Sequence, residues 1–272
     1  MSSSHFTTED GCSLVYEDVG SGQPVVWQHG LCADRQQPAE VFPEKMGVRR
    51  ITLECRGHGE SEMGDPSRLS IAQFAKDVTA LLDYLHIDQA ILGGISLGAA
   101  ISIRLGATIP SRIKALILAR PAWIDDPAPI TQRPYLLVAE LLKTYGRDEG
   151  FRRFASCDVL AEVKRVSLDN CVSLYSFFSR EDQERIIELL SRIPNDGPGL
   201  SREDISAIDA PTLIIGNDKD YVHPICYASA LAELIPDASL QIITSKTVDK
   251  ALYKSQFREV LGTFLQSRLE AE

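Results

Sequence analysis

Two rhythms of apolar residues share the chain. Up to Ala119, short apolar runs of strand length alternate with longer stretches of helical period. Residues 4–18 read as a hairpin around Glu9-Asp10-Gly11, and Pro24–Gln28 (PVVWQ) as a short strand ending at His29-Gly30. A helix is expected near Ala39–Met46, then a strand over Val48–Cys55. The clearest helix is Ser70–Ile87: Ile71, Phe74, Ala75, Val78, Leu81, Leu82 and Leu85 recur at the 3.6-residue period, with Ser70 and Gln73 as a capping pair. A strand over Gln89–Ile95, a helix over Leu97–Ile109 and a strand over Ile113–Ala119 follow.

The alternation then stops. From about Trp123 to Ile208 the pattern is almost wholly helical, with candidates at Arg133–Tyr145, Glu149–Ala155, Val159–Val166, Leu168–Phe178 and Glu181–Ile193. The sheet rhythm resumes in strands over Ala210–Gly216 and Ser239–Thr244, with helices over Pro224–Ile235 and about Lys250–Leu269. Alternation of this kind predicts an α/β fold: a mostly parallel central sheet with helices on both faces. The helical block reads as an insertion between the sixth and seventh strands, a cap over one end of the sheet. The expected division is residues 1–122 and 209–272 for the core and 123–208 for the cap.

Composition narrows the function classes. With 272 residues the chain can bury a core without staples. A formal charge of −10 and no basic run argue against phosphate backbones and anionic membranes as partners. No apolar run approaches the ~20 residues that span a bilayer, and the start lacks the basic and apolar regions of a signal peptide. The six cysteines form no CxxC, so a cytoplasmic protein without disulfides is expected. No spacing suits a metal and no G-x-G-x-x-G follows a strand, so neither metal nor cofactor is expected. Partners reduce to a small-molecule substrate or ligand, for a monomer or small homo-oligomer.

The sharpest chemical signal is Gly94-Ile95-Ser96-Leu97-Gly98, between a strand and a helix. A nucleophile on so tight a turn crowds its neighbours, so small residues must stand two positions away on each side. Ser96 then projects at the positive end of the helix, and the Leu97 amide lies where an oxyanion forms. The competing reading is a small-residue turn that packs a helix on a strand. Three further motifs accompany it: His29-Gly30, Arg56-Gly57-His58-Gly59-Glu60-Ser61, and Gly216-Asn217-Asp218-Lys219-Asp220-Tyr221-Val222-His223-Pro224. Together they resemble the α/β-hydrolase superfamily over about residues 24–120 and 210–265. The resemblance implies a serine nucleophile at Ser96, oxyanion donors at the Leu31 and Leu97 amides, and a catalytic acid after the seventh strand. Asp220 is the first choice for that acid; Asp218, and Asp125 or Asp126 after the sixth strand, compete.

The resemblance also implies a general base in a loop after the last strand, without which a serine hydroxyl is a weak nucleophile. Here that loop reads Ser245-Lys246-Thr247-Val248-Asp249, and no histidine stands beyond His223. Four readings stay open. His223 is supplied from the acid loop; Lys246 acts in a Ser–Lys pair; His29 or His58 is recruited; or no base exists. The first three imply hydrolysis of a small ester, lactone or related carbonyl compound through Ser96 with an atypical base. The last implies a non-hydrolytic relative: a lyase or cyclase using the oxyanion hole, or a receptor-like binder. Trp123, Arg120, Arg133 and Tyr135 at the cap entrance are candidates for substrate contact, the arginines for a substrate carboxylate. Core packing and solvated arginines are the plainer readings of these four.

Overall fold

The computed structural model describes residues 3–44 and 46–270. Eight strands form one sheet in the order β1-β2-β4-β3-β5-β6-β7-β8. β1 (Ser4–Thr7) and β2 (Ser13–Gly20) pair antiparallel, and β2 runs antiparallel to β4 (Val48–Leu53). All other pairings are parallel, through β3 (Gln23–Gln28), β5 (Ala90–Ile95), β6 (Ile113–Ala119), β7 (Thr212–Gly216) and β8 (Ala238–Ile242).

Every residue of β5 is buried, as a central parallel strand covered on both faces must be. On one face α2 (Ile71–Tyr84) and α3 (Leu97–Thr108) bury Phe74, Leu81 and Ile101 with Leu116 of β6. On the other, α1 (Gln36–Val41) and α10 (Lys250–Leu269) pack Val41, Phe257 and Leu261 against Trp27. α10 buries Tyr253, Phe257, Leu261 and Leu265 along one face, with Val260 and Phe264 partly buried beside them. The first helix departs from expectation. It lies at Gln36–Val41 rather than Ala39–Met46, because Pro43 forces Phe42 into an extended conformation that closes the helix. Lys45, within the expected range, lies outside the described residues.

Between β6 and β7 the chain is helical: α4 (Arg133–Ala155), α5 (Asp158–Val166), α6 (Leu168–Ser176), α7 (Gln183–Arg192) and the short α8 (Arg202–Ser206). The two helices expected at 133–145 and 149–155 run on as α4, broken at Gly146, whose φ of 69° and ψ of −169° are not helical. α8 is not anticipated by the pattern; Ser201 and Asp204 cap it reciprocally. No helix among the described residues is long and apolar enough to cross a membrane.

α9 (Ile225–Leu234) follows β7, so the loop of residues 217–224 leaves the C-terminal edge of the sheet beside the loop that follows β8. This edge, between β5, β6, β7 and β8, is where the motif residues gather.

Candidate active site

Ser96 sits between β5 and α3 with φ 57° and ψ −107°, a conformation that non-glycine residues hold only under constraint. The constraint is visible: its amide donates to the Ala119 carbonyl at 2.9 Å, and the flanking glycines have no room for a side chain. A Cβ on Gly94 would lie 2.7 Å from Gly98, and one on Gly98 would lie 2.6 Å from the Gln28 carbonyl oxygen. The turn is thus held by contacts that only glycine permits.

The His223 imidazole reaches Ser96. Its Nε2 lies 2.8 Å from Ser96 Oγ, and its Nδ1 lies 2.9 Å from Asp220 Oδ1. A carboxylate only accepts, so Nδ1 carries the proton and Nε2 is left to accept from the serine hydroxyl. The His223 backbone amide also donates to Asp220 Oδ1, at 3.2 Å. Acid and imidazole therefore belong to one turn. Burial drives the imidazole pKa down, and the Arg120 charge adds to this against the pull of Asp220. The imidazole is accordingly neutral near pH 7.

The other carboxylate oxygen, Asp220 Oδ2, is taken by Arg120, from Nε at 2.8 Å and Nη2 at 2.6 Å. Burial alone would raise the Asp220 pKa; Arg120 and then His223 overcome it and hold the carboxyl well below the usual range. This corrects the expectation for Arg120. Its guanidinium is buried and engaged by the Asp220 carboxylate, not presented to a substrate carboxylate. Like Ser96 and Cys32, Arg120 adopts a positive φ, so three such non-glycine residues ring this edge of the sheet.

The remaining candidates are placed as follows. His29 donates from Nδ1 to the Gly30 carbonyl at 2.8 Å and accepts the Cys55 amide on Nε2 at 3.0 Å, so both ring nitrogens serve the backbone. His58 donates from Nδ1 to the Arg56 carbonyl at 3.0 Å, and burial then the neighbouring His29 push its pKa well down. Lys246 lies over the Tyr253 ring, 5.1 Å from its centroid, and is not bonded to Ser96. Asp218 is exposed and Asp125 pairs with Arg202 at 3.3 Å, so neither stands on the imidazole. Trp123 is 2% exposed and donates its indole N–H to the Asp196 carbonyl, which is core packing rather than a free wall. Arg133 is exposed. Tyr135 is half-buried against Phe177; burial and then the nearby Asp220 charge raise its hydroxyl pKa.

The Gly30 amide is held by Gln37 Oε1 at 2.6 Å, and the Gly30 carbonyl accepts the Ala33 amide at 3.2 Å. These bonds shape the turn at Leu31, whose amide has no acceptor among the described residues. The Leu97 amide is the first of α3 and has no intrahelical acceptor either. The Arg56-to-Ser61 stretch is structural. Arg56 is enclosed by Asp77 and Asp10, while Ser61 Oγ donates to the Glu54 carbonyl and accepts the Val15 amide.

Sequence reasoning missed two contacts from the helical insertion. Asn170 Oδ1, on α6, accepts the Tyr221 amide at 2.8 Å and the Val222 amide at 3.2 Å. Arg180 donates to the Cys32 carbonyl at 2.6 Å, beside the Leu31 turn. Neither carries a sequence signal, since both are polar residues in a helical block whose docking the pattern does not give. Among the described residues no cluster of His, Cys, Asp and Glu could hold a metal ion.

An elbow serine, a buried imidazole and a carboxylate on the edge of this sheet define the class, and the sequence agrees. The profile of the alpha/beta hydrolase fold family matches residues 23–246, and the chain belongs to that family. It is 29% identical over 256 residues to the AB hydrolase superfamily protein YisY of Bacillus subtilis, covering 86% of this chain and 90% of that one. Among solved structures, the esterase EaEST from Exiguobacterium antarcticum superposes with a TM-score of 0.75 at 20% identity, covering 97% of this chain and 100% of that one. The enol-lactonase from Burkholderia xenovorans LB400 superposes with a TM-score of 0.72 at 21% identity, covering 96% and 99%.

Proposed function

We propose that this chain is a serine hydrolase of a small ester, lactone or related carbonyl compound, with its acid and base drawn from the same loop. One observation carries the reading: the 2.8 Å contact between Ser96 Oγ and His223 Nε2, with Asp220 on the imidazole's other nitrogen. The relatives that superpose include an esterase and an enol-lactonase by name, which supports the substrate class.

In this reading His223 Nε2 takes the Ser96 hydroxyl proton as Oγ adds to the substrate carbonyl. Asp220 stabilises the resulting imidazolium and keeps the ring in the required tautomer. The Leu31 and Leu97 amides donate to the oxyanion. The imidazolium then returns its proton to the leaving oxygen, and a water activated by the same nitrogen releases the acyl group. Residues 123–208 act as the cap over this site, with Tyr135 a wall of the substrate space. The imidazole at hydrogen-bond distance from Ser96 favours hydrolysis over the lyase, cyclase or binder that a serine without a base would imply.

The test is labelling by a fluorophosphonate probe, with turnover on a panel of p-nitrophenyl esters and lactones. Wild type is labelled and active, and Ser96→Ala is neither. An unlabelled wild type, or hydrolysis that survives Ser96→Ala, would sink the proposal.

A further inference from the structure

We infer that Asn170 is a positioning residue for Asp220 and His223, so that the catalytic base is assembled only while α6 is seated on the acid loop. This rests on the serine-hydrolase reading above. A base carried by the loop after the last strand would be anchored by the sheet and the final helix. Here acid and base are separated by only two residues, Tyr221 and Val222. The course of the chain through those two residues sets the angle between carboxylate and imidazole. Both of their amides end on one atom, Asn170 Oδ1, which belongs to the helical insertion and not to the core.

The insertion holds the turn from several directions. Asn170 is 4% exposed, so water does not compete freely for the two amides. Its own amide donates to Ser167 Oγ, the cap of α6, at 3.2 Å. Ser167 Oγ is bonded to Thr247 Oγ1 at 2.9 Å, and Thr247 Oγ1 accepts the Asp169 amide at 3.2 Å. The first turn of α6 thus bridges the loop after β7 and the loop after β8. The Val222 carbonyl accepts from Gln132 Nε2, which precedes α4, at 3.4 Å. If α6 lifts, two buried amides lose their acceptor and the turn relaxes. Ser96, held by its own turn and by the Ala119 carbonyl, stays where it is. Seating the insertion and aligning the base are therefore one event.

The test uses the whole protein with p-nitrophenyl acetate. In Asn170→Ala, kcat falls about a hundredfold, the cost of roughly an ångström of misplacement, while KM stays within about threefold. Asn170→Asp, which keeps an acceptor toward both amides, recovers kcat to within about tenfold of wild type. Hydrogen exchange at the 221 and 222 amides rises in the alanine variant and not in the aspartate variant; this readout needs no turnover. If Asn170→Ala fails to fold, Asn170→Ser, whose hydroxyl falls short of both amides, takes its place with the same expectations. An alanine or serine variant with kcat near wild type overturns the inference, as does an aspartate variant as impaired as alanine. Ser96→Ala run in parallel separates the two ideas. Hydrolysis that survives it defeats the serine-hydrolase reading. Hydrolysis lost there but intact in Asn170→Ala defeats this inference alone.

Discussion

Two neighbouring loops leave the same edge of the sheet and do different work. The loop after β7 carries Asp220 and His223, both buried, and delivers an imidazole to Ser96. The loop after β8, where the resemblance leads one to expect the base, carries Ser245, Lys246 and Thr247. Its Lys246 rests on Tyr253 and its Thr247 is bonded to the first turn of α6. Proton transfer requires an imidazole within hydrogen-bond reach of the hydroxyl, and it has no requirement on chain order. The sheet edge supplies more than one point from which that reach is possible. Placing Asp220 and His223 three residues apart has a consequence: the carboxylate binds both the His223 ring and the His223 amide, so one short turn sets the geometry. It also leaves Asp220 Oδ2 open to the buried Arg120.

This contrast can be broken most forcefully at the loop after β7. Ser96→Ala or His223→Ala is expected to lower kcat by about 10⁶-fold on an active ester, measured by initial rates with labelling as a cross-check. Loss of comparable size from Lys246→Met instead would move the base to the other loop. Asp220→Asn follows, with a loss of about 10⁴-fold in kcat and intact folding by circular dichroism.

Arg120→Gln has a smaller effect on rate and a diagnostic effect on pH. In the proposed mechanism the active form requires neutral His223, so kcat/KM is expected to rise as pH climbs through the His223 pKa. Burial, then Arg120 and more weakly Lys246, hold that pKa below the ordinary imidazole value, while Asp220 opposes them. Removing Arg120 with Asp220 still ionised therefore shifts the acidic limb of the profile upward. Breaking the buried pair also costs about 3–5 kcal/mol of stability, read by urea unfolding. Lys246→Met should be the mildest: kcat within about threefold, with the limb moved upward by less than in Arg120→Gln. A larger shift in Lys246→Met than in Arg120→Gln would overturn this ordering of the two cations.

The two halves of the site differ in how they could be read from the chain. The elbow was legible because its constraints are local: a strand, a glycine two residues either side of a serine, and a helix are all contiguous in sequence. Arg120 is legible in the sequence as a cation at the cap entrance, but its direction is not. It follows β6 at positive φ, and only the packing of β6 beside β7 turns its guanidinium onto Asp220. Trp123 shows the same limit: an indole at the insertion's entrance reads as core or as pocket wall, and the fold buries it.

The sequence by itself determined the alternation of strands and helices, the inserted helical block, the strained serine turn and the absence of a histidine after the last strand. Periodicity and short-range sterics act between residues close along the chain, so they leave a mark in the order of residues. Which histidine meets Ser96 was decided by tertiary structure. The contact joins residues 127 positions apart across parallel strands. Asn170 was likewise invisible, because its meeting with Tyr221 and Val222 depends on how α6 settles onto the sheet edge. Side-chain hydrogen bonds between distant segments impose no periodicity, and only the folded chain reveals them.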